Sequence, residues 1–431
     1  MKLTAEEANT NKFDGLLYNE SQLKELYLLQ KTIKRNGVHS LHKFYGKLIP
    51  AIPAWAIAYF SEPGDLVLDP FCGSGTTLVE AVLAGRKVIG IDLDPLSILI
   101  SKVKTTPISP DDLDESLSKL INQLSSDKNA NIQYKIPVFT HVDINYWFSY
   151  DVQKDLALIK GNIDKIQDLN IRQFFLVVLS SIVRKVSLAD PRLIKPSRNK
   201  YLEREKENFD VFITFATAAR SKLSAMSRLV NHIQNNDSYD NLSCEVLLGD
   251  ARDIADTVKD INLIVTNPPY MAAVDYVRVN KLEGWWTGVL DNYETLSTQT
   301  IGSEKVKSIE HDNRPFNIKL VDRAVETIYR KKPQKALVVS RFFDDMKLVF
   351  NEMARVLTPG GKIVMKISDS HYQRVFIPTT DIFIKLAQAS GLDLLMRFTD
   401  KIDNYTMSTT SAARDGVVTH DWILVFRKGG A

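Results

Sequence analysis

The stretch from Leu66 to Pro95 reads LVLDPFCGSGTTLVEAVLAGRKVIGIDLDP and decides the fold. Its apolar start, ending at Asp69, predicts a buried strand, and the glycine-containing residues that follow predict a turn. From Thr76 the pattern predicts a helix that ends at Gly85, and KVIGIDLD predicts a second strand. Strand, helix and strand in this order form a βαβ unit, which implies a parallel sheet with right-handed crossovers.

The glycine turn matches neither common phosphate-binding pattern. A P-loop needs G-x-x-x-x-G-K-[ST], and a dinucleotide site needs G-x-G-x-x-G at the start of a helix. Without the phosphate-binding lysine, the turn is better suited to a nucleoside that carries an amino acid than to a triphosphate. In a doubly wound sheet the ligand lies beyond the carboxyl ends of the strands, where an acid after the second strand accepts hydrogen bonds from ribose. Asp92 stands at that position.

Composition sets the outer limits. The chain has 431 residues, 44% hydrophobic and 25% charged, which predicts a soluble globular protein with two domains or one large insertion. Two cysteines, Cys72 and Cys244, suit a reducing cytoplasm and make neither a disulfide framework nor a zinc site, so no metal is expected. The chain opens without a signal peptide, and its longest apolar run, from Phe174, is too short to span a bilayer. We therefore expect a cytoplasmic protein without a membrane partner.

Later segments add strands to the sheet, and a helical segment separates the second strand from the third. Buried strands are predicted at CEVLLGD, INLIVTNPPY, QKALVVS and GGKIVMKIS, and a final strand pair at LDLLMRFTDKI and DWILVFRK. Between the second and third strands the chain shows helical periodicity instead. We predict a seven-stranded doubly wound α/β sheet with a Rossmann-like fold. It comprises a sheet domain at 39–104 and 243–431, a helical insertion at 105–242 and a helical extension at 1–38.

The FCGSG loop resembles the F-x-G-x-G loop of S-adenosylmethionine-dependent methyltransferases, and within them the DNA amino-methyltransferases that act on adenine N6 or cytosine N4. The resemblance covers about 39–428, loosely in the insertion. It implies that 39–104 and 243–431 form the catalytic domain and that the insertion at 105–242 is the target-recognition region. It implies S-adenosylmethionine as cofactor, with Asp92 at its ribose and Asp250 at its adenine. The remaining cofactor residues that it implies are Asp69, Phe71, Gly73 and Gly75 from the loop and Tyr45, Lys47 and Pro50 from HKFYGKLIPAIP.

The tetrapeptide NPPY, Asn267, Pro268, Pro269 and Tyr270, follows the fourth strand and supplies the catalytic residues of the resemblance. An exocyclic amino group is a poor nucleophile because its lone pair is delocalised into the ring. Carbonyl oxygens of Asn267 and Pro268 would accept its hydrogens, and two prolines preorganise these acceptors. The target base must leave the duplex, and Tyr270 is expected to stack on it. Cys72 is expected to pack rather than act as a nucleophile.

Basic residues predict contacts to double-stranded DNA. RKVSLADPRLIKPSRNK carries Arg184, Lys185, Arg192, Lys195, Arg198 and Lys200 against the single Asp190, which suits a loop that contacts phosphates. After the tetrapeptide, DYVRVNKLEGWWTG adds Arg278 and Lys281, with Trp285 and Trp286 as wall or core residues. The polar stretch 293–314 predicts a mobile loop.

Three other functions stay open. RNA guanine-N2 methyltransferases have a similar glycine loop but aspartate before the prolines, and glutamine methyltransferases use N-P-P-Y without the D-P-F-C start. A non-catalytic DNA-binding regulator is disfavoured because every expected chemical position is occupied. Asn267 favours adenine over cytosine as the target base. The sequence leaves open the recognition site, the number of subunits and whether a cognate restriction endonuclease exists.

Overall fold

The computed structural model describes residues 20–31, 37–138, 142–198, 210–235, 243–272, 275–290, 292–305, 316–401 and 420–429. Seven strands form its main sheet: β1 (Leu66–Asp69), β2 (Lys87–Asp92), β3 (Cys244–Leu248), β4 (Ile261–Thr266), β5 (Leu357–Ile367), β8 (Leu392–Lys401) and β9 (His420–Lys428). Their order is β3-β2-β1-β4-β5-β9-β8. The first five strands pair in parallel, and β9 runs antiparallel to β5 and β8. This confirms the predicted doubly wound α/β sheet.

Both faces of the sheet are buried, as the continuous apolar strands require. Successive residues alternate between two cores, so that Val67 and Leu263 face one core while Leu68 and Ile264 face the other. On the first face lie α1 (Glu20–Lys31), α2 (Ala51–Phe60), α3 (Thr76–Leu83) and α4 (Pro95–Thr105). On the second lie α13 (Lys319–Tyr329), α14 (Pro333–Val356) and α15 (Thr379–Ala389), beside the hairpin β6 (Ser370–Tyr372) and β7 (Val375–Ile377).

The segment between α4 and β3 is helical. It contains α5 (Pro110–Asn129), α6 (Ile144–Trp147), α7 (Tyr150–Ile163), α8 (Leu169–Val186) and α9 (Val211–Gln234), which share a separate apolar core. Asp143, Asp168 and Asp210 cap three of these helices through side-chain hydrogen bonds. The segment leaves and rejoins the sheet at one place, because α4, which precedes the segment, packs against β3, which follows it.

Two local predictions were wrong. QKALVVS is not a strand but the start of α14, because a short apolar run is compatible with either a buried strand or a buried helix, and Pro333 begins the helix here. The segment from Tyr293 is not a loop throughout, since α12 (Tyr293–Gln299) is a helix whose first turn is capped by Asn292. Residues 306–315 of that segment lie outside the described part of the chain. Among the helices of the described residues, none has the length and apolarity needed to cross a membrane.

Candidate active site

A cleft of about 940 Å³, counted with the solvent space at its mouth, opens at the carboxyl ends of the central parallel strands. Most of the predicted cofactor and catalytic residues line it: Tyr45, Lys47, Asp69, Phe71, Gly73, Asp92, Asp250, Asn267 and Pro269. Pro50, Gly75, Pro268 and Tyr270 lie outside this lining. Pro50 is the N-cap residue of α2, and Pro268 is buried. The cleft thus brings together segments that are far apart in the sequence.

The glycine loop is held from below by α4. Gly75 heads α3 with a left-handed φ of 76°, and an added Cβ there would lie 2.9 Å from Ser101 Oγ. Ser101 Oγ donates a hydrogen bond to the carbonyl of Gly73 at 2.7 Å, and Lys104 Nζ donates one to the carbonyl of Ser74 at 2.8 Å. Ser101 and Lys104 are three residues apart on one helix face. Neither Ser101 nor Lys104 was predicted from the sequence, although their spacing after the second strand could have indicated them.

Lys104 is fully buried. Burial and, secondarily, the charge of Lys47 lower its pKa to about 7. Two histidines lie close enough to feel its charge: His39, whose Nε2 is 2.7 Å from Glu80 Oε1, and His42, whose pKa burial lowers to about 3. A basic cluster with one carboxylate therefore underlies the cofactor loop.

Asp92 is held by backbone amides at the end of β2. Its Oδ2 accepts a hydrogen bond from Gly73 N at 2.8 Å, and its Oδ1 accepts one from Asp94 N at 2.8 Å. Burial, reinforced by the charge of Asp94, raises the pKa of Asp92 to about 7. The carboxylate stays half-buried at the cleft, where its remaining lone pairs face a ligand.

The other two predicted acids have structural partners of their own. Asp69 Oδ1 accepts hydrogen bonds from Phe71 N at 3.1 Å and from Thr266 Oγ1 at 2.8 Å, and burial raises its pKa to about 6. Asp250 forms a bidentate pair with Arg252, at 2.9 and 2.5 Å. Although burial would raise the pKa of Asp250, the hydrogen bonds and charge of Arg252 lower it. Both carboxylates nevertheless border the cleft.

The amide of Asn267 has a defined orientation. Its Nδ2 donates a hydrogen bond to the carbonyl of Gly46 at 3.0 Å, and a carbonyl can accept only from the amino end of the amide. The opposite end, Oδ1, is buried and has no hydrogen-bond partner within the described residues. An unsatisfied buried acceptor is costly, so this oxygen is set up for a donor that a ligand brings.

Tyr270 lies outside the lining of the cleft. Its ring packs against the second sheet core, and its Oη is 3.5 Å from Asp421 Oδ1. Asp421 also pairs with Lys366 at 2.5 Å and accepts a hydrogen bond from Ser368. The aromatic residue of this region that lines the cleft is instead Tyr276, the first residue of α10 (Tyr276–Val279).

Two arginines of the predicted basic loop have intramolecular partners. The Arg184 guanidinium donates to the carbonyls of Leu193 and Ile194, and it lies 5.9 Å from the Tyr45 ring centre at the cleft. Arg192 forms a bidentate pair with the buried Asp190. Intramolecular acceptors therefore engage the guanidinium groups of these two arginines, which leaves fewer of their N–H donors for a phosphate.

The remaining predicted cations differ in exposure. Lys195 and Arg278 are exposed and form no ion pair within the described residues, while Lys200 lies outside them. Arg198 lies 5.2 Å from the Tyr146 ring centre. Lys281, in α11 (Lys281–Thr287), is surrounded by the rings of Trp147, Trp285 and Tyr293 at 4.7 to 5.5 Å, so its ammonium stabilises packing. Trp285 and Trp286 are core residues.

Other chemistries find little support at the cleft. Burial raises the pKa of the Cys72 thiol well above its usual value, which keeps it protonated and unreactive. The described residues contain no group of three or more His, Cys, Asp or Glu side chains arranged to hold a metal ion. Ser74, Asp92 and Phe71, in contrast, all line the cleft, and Ser74 Oγ has no hydrogen-bond partner among the described residues. These groups fit a nucleoside with an amino-acid tail.

The doubly wound sheet and this cleft fit an S-adenosylmethionine-dependent methyltransferase. A family model described as DNA methylase (N6_N4_Mtase) matches residues 9–102. The chain is 28% identical over 376 residues to the type II methyltransferase M.MvaI of Kocuria varians, covering 82% of this chain and 80% of that protein. It is 24% identical over 402 residues to M.BsoBI of Geobacillus stearothermophilus, covering 78% and 75%. These similarities support the DNA amino-methyltransferase family.

Two further matches are weaker. Over 33 residues, 8% of this chain and 9% of the other protein, it is 64% identical to a tRNA (guanine(10)-N2)-dimethyltransferase of Methanocaldococcus jannaschii. A SAM-dependent methyltransferase structure from Methanosarcina mazei aligns over 87% of this chain and 97% of its own, at 8% identity and a TM-score of 0.32.

The burial of Lys104 predicts a pH-dependent stability. Its pKa is about 7 in the folded protein and about 10.4 in the unfolded chain, so unfolding takes up a proton between these values. From pH 7 to 9 the free energy of unfolding of the wild type should therefore rise relative to Lys104→Met, by up to about 1.4 kcal/mol per pH unit. Urea titrations at several pH values measure this, with the exposed Lys102→Met as control. If the free energy of unfolding of Lys104→Met and of Lys102→Met depended on pH in the same way, the buried ammonium would be contradicted.

Proposed function

We propose that this DNA amino-methyltransferase methylates the N6 amino group of adenine, in preference to the N4 amino group of cytosine, on a base turned out of duplex DNA. The observation that carries the proposal is the unpartnered Oδ1 of Asn267 at the cleft. S-adenosylmethionine, when bound, supplies an electrophilic methyl on a sulfonium. Asparagine before the two prolines is the form that resembles the adenine enzymes.

The tetrapeptide has to make the amino nitrogen reactive. Asn267 Oδ1 would accept one amino hydrogen and the Pro268 carbonyl the other, which draws the lone pair out of the ring and onto the nitrogen. Because Gly46 already fixes the amide, little reorganisation is needed at the moment of reaction. Once methylated, the amino group is acidic and can release its proton to solvent, so no general base is required.

The cofactor would lie along the carboxyl edge of the sheet. Asp92 would accept hydrogen bonds from the ribose hydroxyls, and Asp250 would hold the adenine while keeping its pair with Arg252. The glycine loop with Ser74, Asp69 and Phe71 would face the methionine part, and Tyr45 and Lys47 would close it from the other side.

Contacts to duplex DNA would come from the exposed cations around the cleft. Both Lys195 and Arg278 are exposed, and among the described residues neither has an ion pair to break before it meets a phosphate. Arg184 would act indirectly, since it links the loop that carries Lys195 and Arg198 to Tyr45 at the cleft. We also propose that a cognate endonuclease shares the recognition site, because the relatives are type II methyltransferases.

Replacing Asn267 by alanine should lower methyl transfer by about 10²- to 10³-fold while cofactor affinity stays unchanged, because only the amine acceptor is lost. The assay incubates the protein with labelled S-adenosylmethionine and either bacterial duplex DNA or bulk tRNA, then identifies the labelled nucleoside by mass spectrometry. N6-methyladenine in DNA is the expected product. N2-methylguanine in tRNA would overturn the substrate, and normal turnover of Asn267→Ala would overturn the geometry. Asn351→Ala, exposed on α14, is the control.

The raised pKa of Asp92 predicts how cofactor affinity depends on pH. A ribose hydroxyl donates to the ionised carboxylate, so binding favours deprotonation, and affinity should rise with pH through about 7. Cofactor affinity is measured by calorimetry from pH 6 to 8 for the wild type and for Asp92→Asn. Dividing the first affinity by the second cancels the effect of the ligand's own titration. That ratio should increase with pH, whereas the ratio for Asp250→Asn should not, because the pKa of Asp250 is lowered. A flat ratio for Asp92 would move the ribose contact elsewhere.

The exposed cations predict the salt dependence of DNA binding. Lys195→Gln and Arg278→Gln should each weaken binding to all duplex sequences alike and reduce the slope of log affinity against log salt by about 0.9. Arg192→Gln should change the slope less, since Asp190 already pairs with that guanidinium. Lys259→Gln, two residues before β4 and so at the opposite edge of the sheet, is the matched control. Equal slopes for all four variants would remove this surface from the DNA contact.

A further inference from the structure

The short hairpin β6–β7 lies at the same edge of the sheet as the cleft. It follows directly on β5, and the carboxyl ends of β1, β4 and β5 share one edge because the three strands are parallel. Tyr372 and Ile377 are buried in the second sheet core, which anchors the inner face of the hairpin. Its outer face carries the cross-strand pair of His371 and Phe376, and Phe376 is 54% exposed. The hairpin therefore has one face fixed to the core and one face in contact with solvent.

The tip of the hairpin consists of two residues in an unfavourable backbone conformation. Tyr372 pairs with Val375, so Gln373 and Arg374 alone connect the two strands. Their φ angles are 51° and 64°, as a type I′ turn requires at both central positions. Asn-Gly is the usual sequence of such a turn, because left-handed backbone is costly for residues with longer side chains. The chain thus keeps a carboxamide and a guanidinium where folding alone would favour Asn and Gly, which indicates a role in contacting a partner.

Two lysines lie beside this tip. Lys331 and Lys332 form the connection between α13 and α14, and both are exposed. Lys332 Nζ donates a hydrogen bond to Gln373 Oε1 at 2.8 Å, which holds the connection against the tip. Within the part of the chain that the structure describes, Lys331 forms no ion pair, and Arg374 is exposed on the tip itself. A polyanion that approached the hairpin would therefore meet three cations.

Glu304 joins the hairpin to the cleft. Its Oε1 accepts hydrogen bonds from Tyr372 Oη at 2.8 Å and from Lys335 Nζ at 3.1 Å. Glu304 follows Ile301, a residue of the cleft lining, by three positions, and it is close enough to Lys195 to feel its charge. The hairpin thus borders the same opening as the lysine for which we propose a phosphate contact. Unlike that lysine, it belongs to the sheet and not to the helical insertion.

We propose that the tip of the β6–β7 hairpin is a second contact to duplex DNA, in which Gln373 and Arg374 reach base edges in the major groove and Lys331 meets a flanking phosphate. This inference rests on the proposed function. The major groove admits a two-stranded ribbon, and guanidinium and carboxamide groups can pair with base edges there. Gln373 keeps its amide N–H donors for a base, since Lys332 uses only the oxygen. Sequence readout would then be shared between the insertion and the sheet domain.

The test replaces the tip by the sequence that its backbone prefers. The double variant Gln373→Asn/Arg374→Gly removes both long side chains and relieves the left-handed conformation, so its melting temperature should not fall below that of the wild type. Its kcat/KM for methylation of unmethylated bacterial duplex DNA should fall by roughly 5- to 150-fold, which corresponds to about 1 to 3 kcal/mol for a bidentate base contact. Its dissociation constant for S-adenosylmethionine, measured by calorimetry, should not change.

Asp260→Gly is the matched control. Asp260 is exposed, has a left-handed φ of 59° and directly precedes β4, so its replacement relieves the same kind of strain at the opposite edge of the sheet. This variant should methylate DNA as the wild type does. Lys331→Gln should reduce the slope of log DNA affinity against log salt by about 0.9, as expected for one lost phosphate contact.

Two results would overturn the inference. One is a double variant at Gln373 and Arg374 that methylates DNA as fast as the wild type. The other is a loss of cofactor affinity in that variant by the same factor as kcat/KM, since the hairpin would then act through the shape of the cleft. An unchanged salt slope for Lys331→Gln would remove the phosphate contact from the inference. A wild type that labels tRNA or protein but not DNA would instead reject the proposed function itself.

Discussion

A buried hydrogen bond joins the two loops on which the site depends. Thr266 Oγ1 donates to Asp69 Oδ1 at 2.8 Å, although 197 residues separate them in the sequence. Asp69 ends β1 and precedes the glycine loop, while Thr266 ends β4 and precedes Asn267. Because β1 and β4 are parallel neighbours, this bond fixes the glycine loop against the amide of Asn267. The acid that family resemblance assigns to the cofactor is therefore first a structural link.

The sequence predicted those parts of the site that local chemistry determines. The glycine turn, the acid after β2 and the NPPY tetrapeptide each end a strand, and parallel strands carry their ends to one edge of the sheet. For this reason Gly73, Asp92 and Asn267 could be placed together before any contact was known, and the cleft lining contains all three. The same argument predicted the doubly wound α/β fold from one βαβ unit.

What the sequence did not predict depends on contacts between distant segments. Nothing in the run around Gly46 shows that its carbonyl orients Asn267 or that its missing side chain admits Tyr276. Charge counting also could not show that Asp190 and two backbone carbonyls engage Arg192 and Arg184. Composition gives the number of cations in a loop, whereas only the fold gives the number that remain available to a phosphate.

The packing of α4 against β3 also bears on how such proteins diversify. Since α4 already returns the chain to the start of β3, the helices from α5 to α9 form an excursion whose two ends lie close together. An excursion of this kind can be exchanged for another of different length without changing the register of the sheet, because loop length alone costs little free energy. A different set of helices could therefore be accommodated at one junction while the sheet and its cleft stay unchanged.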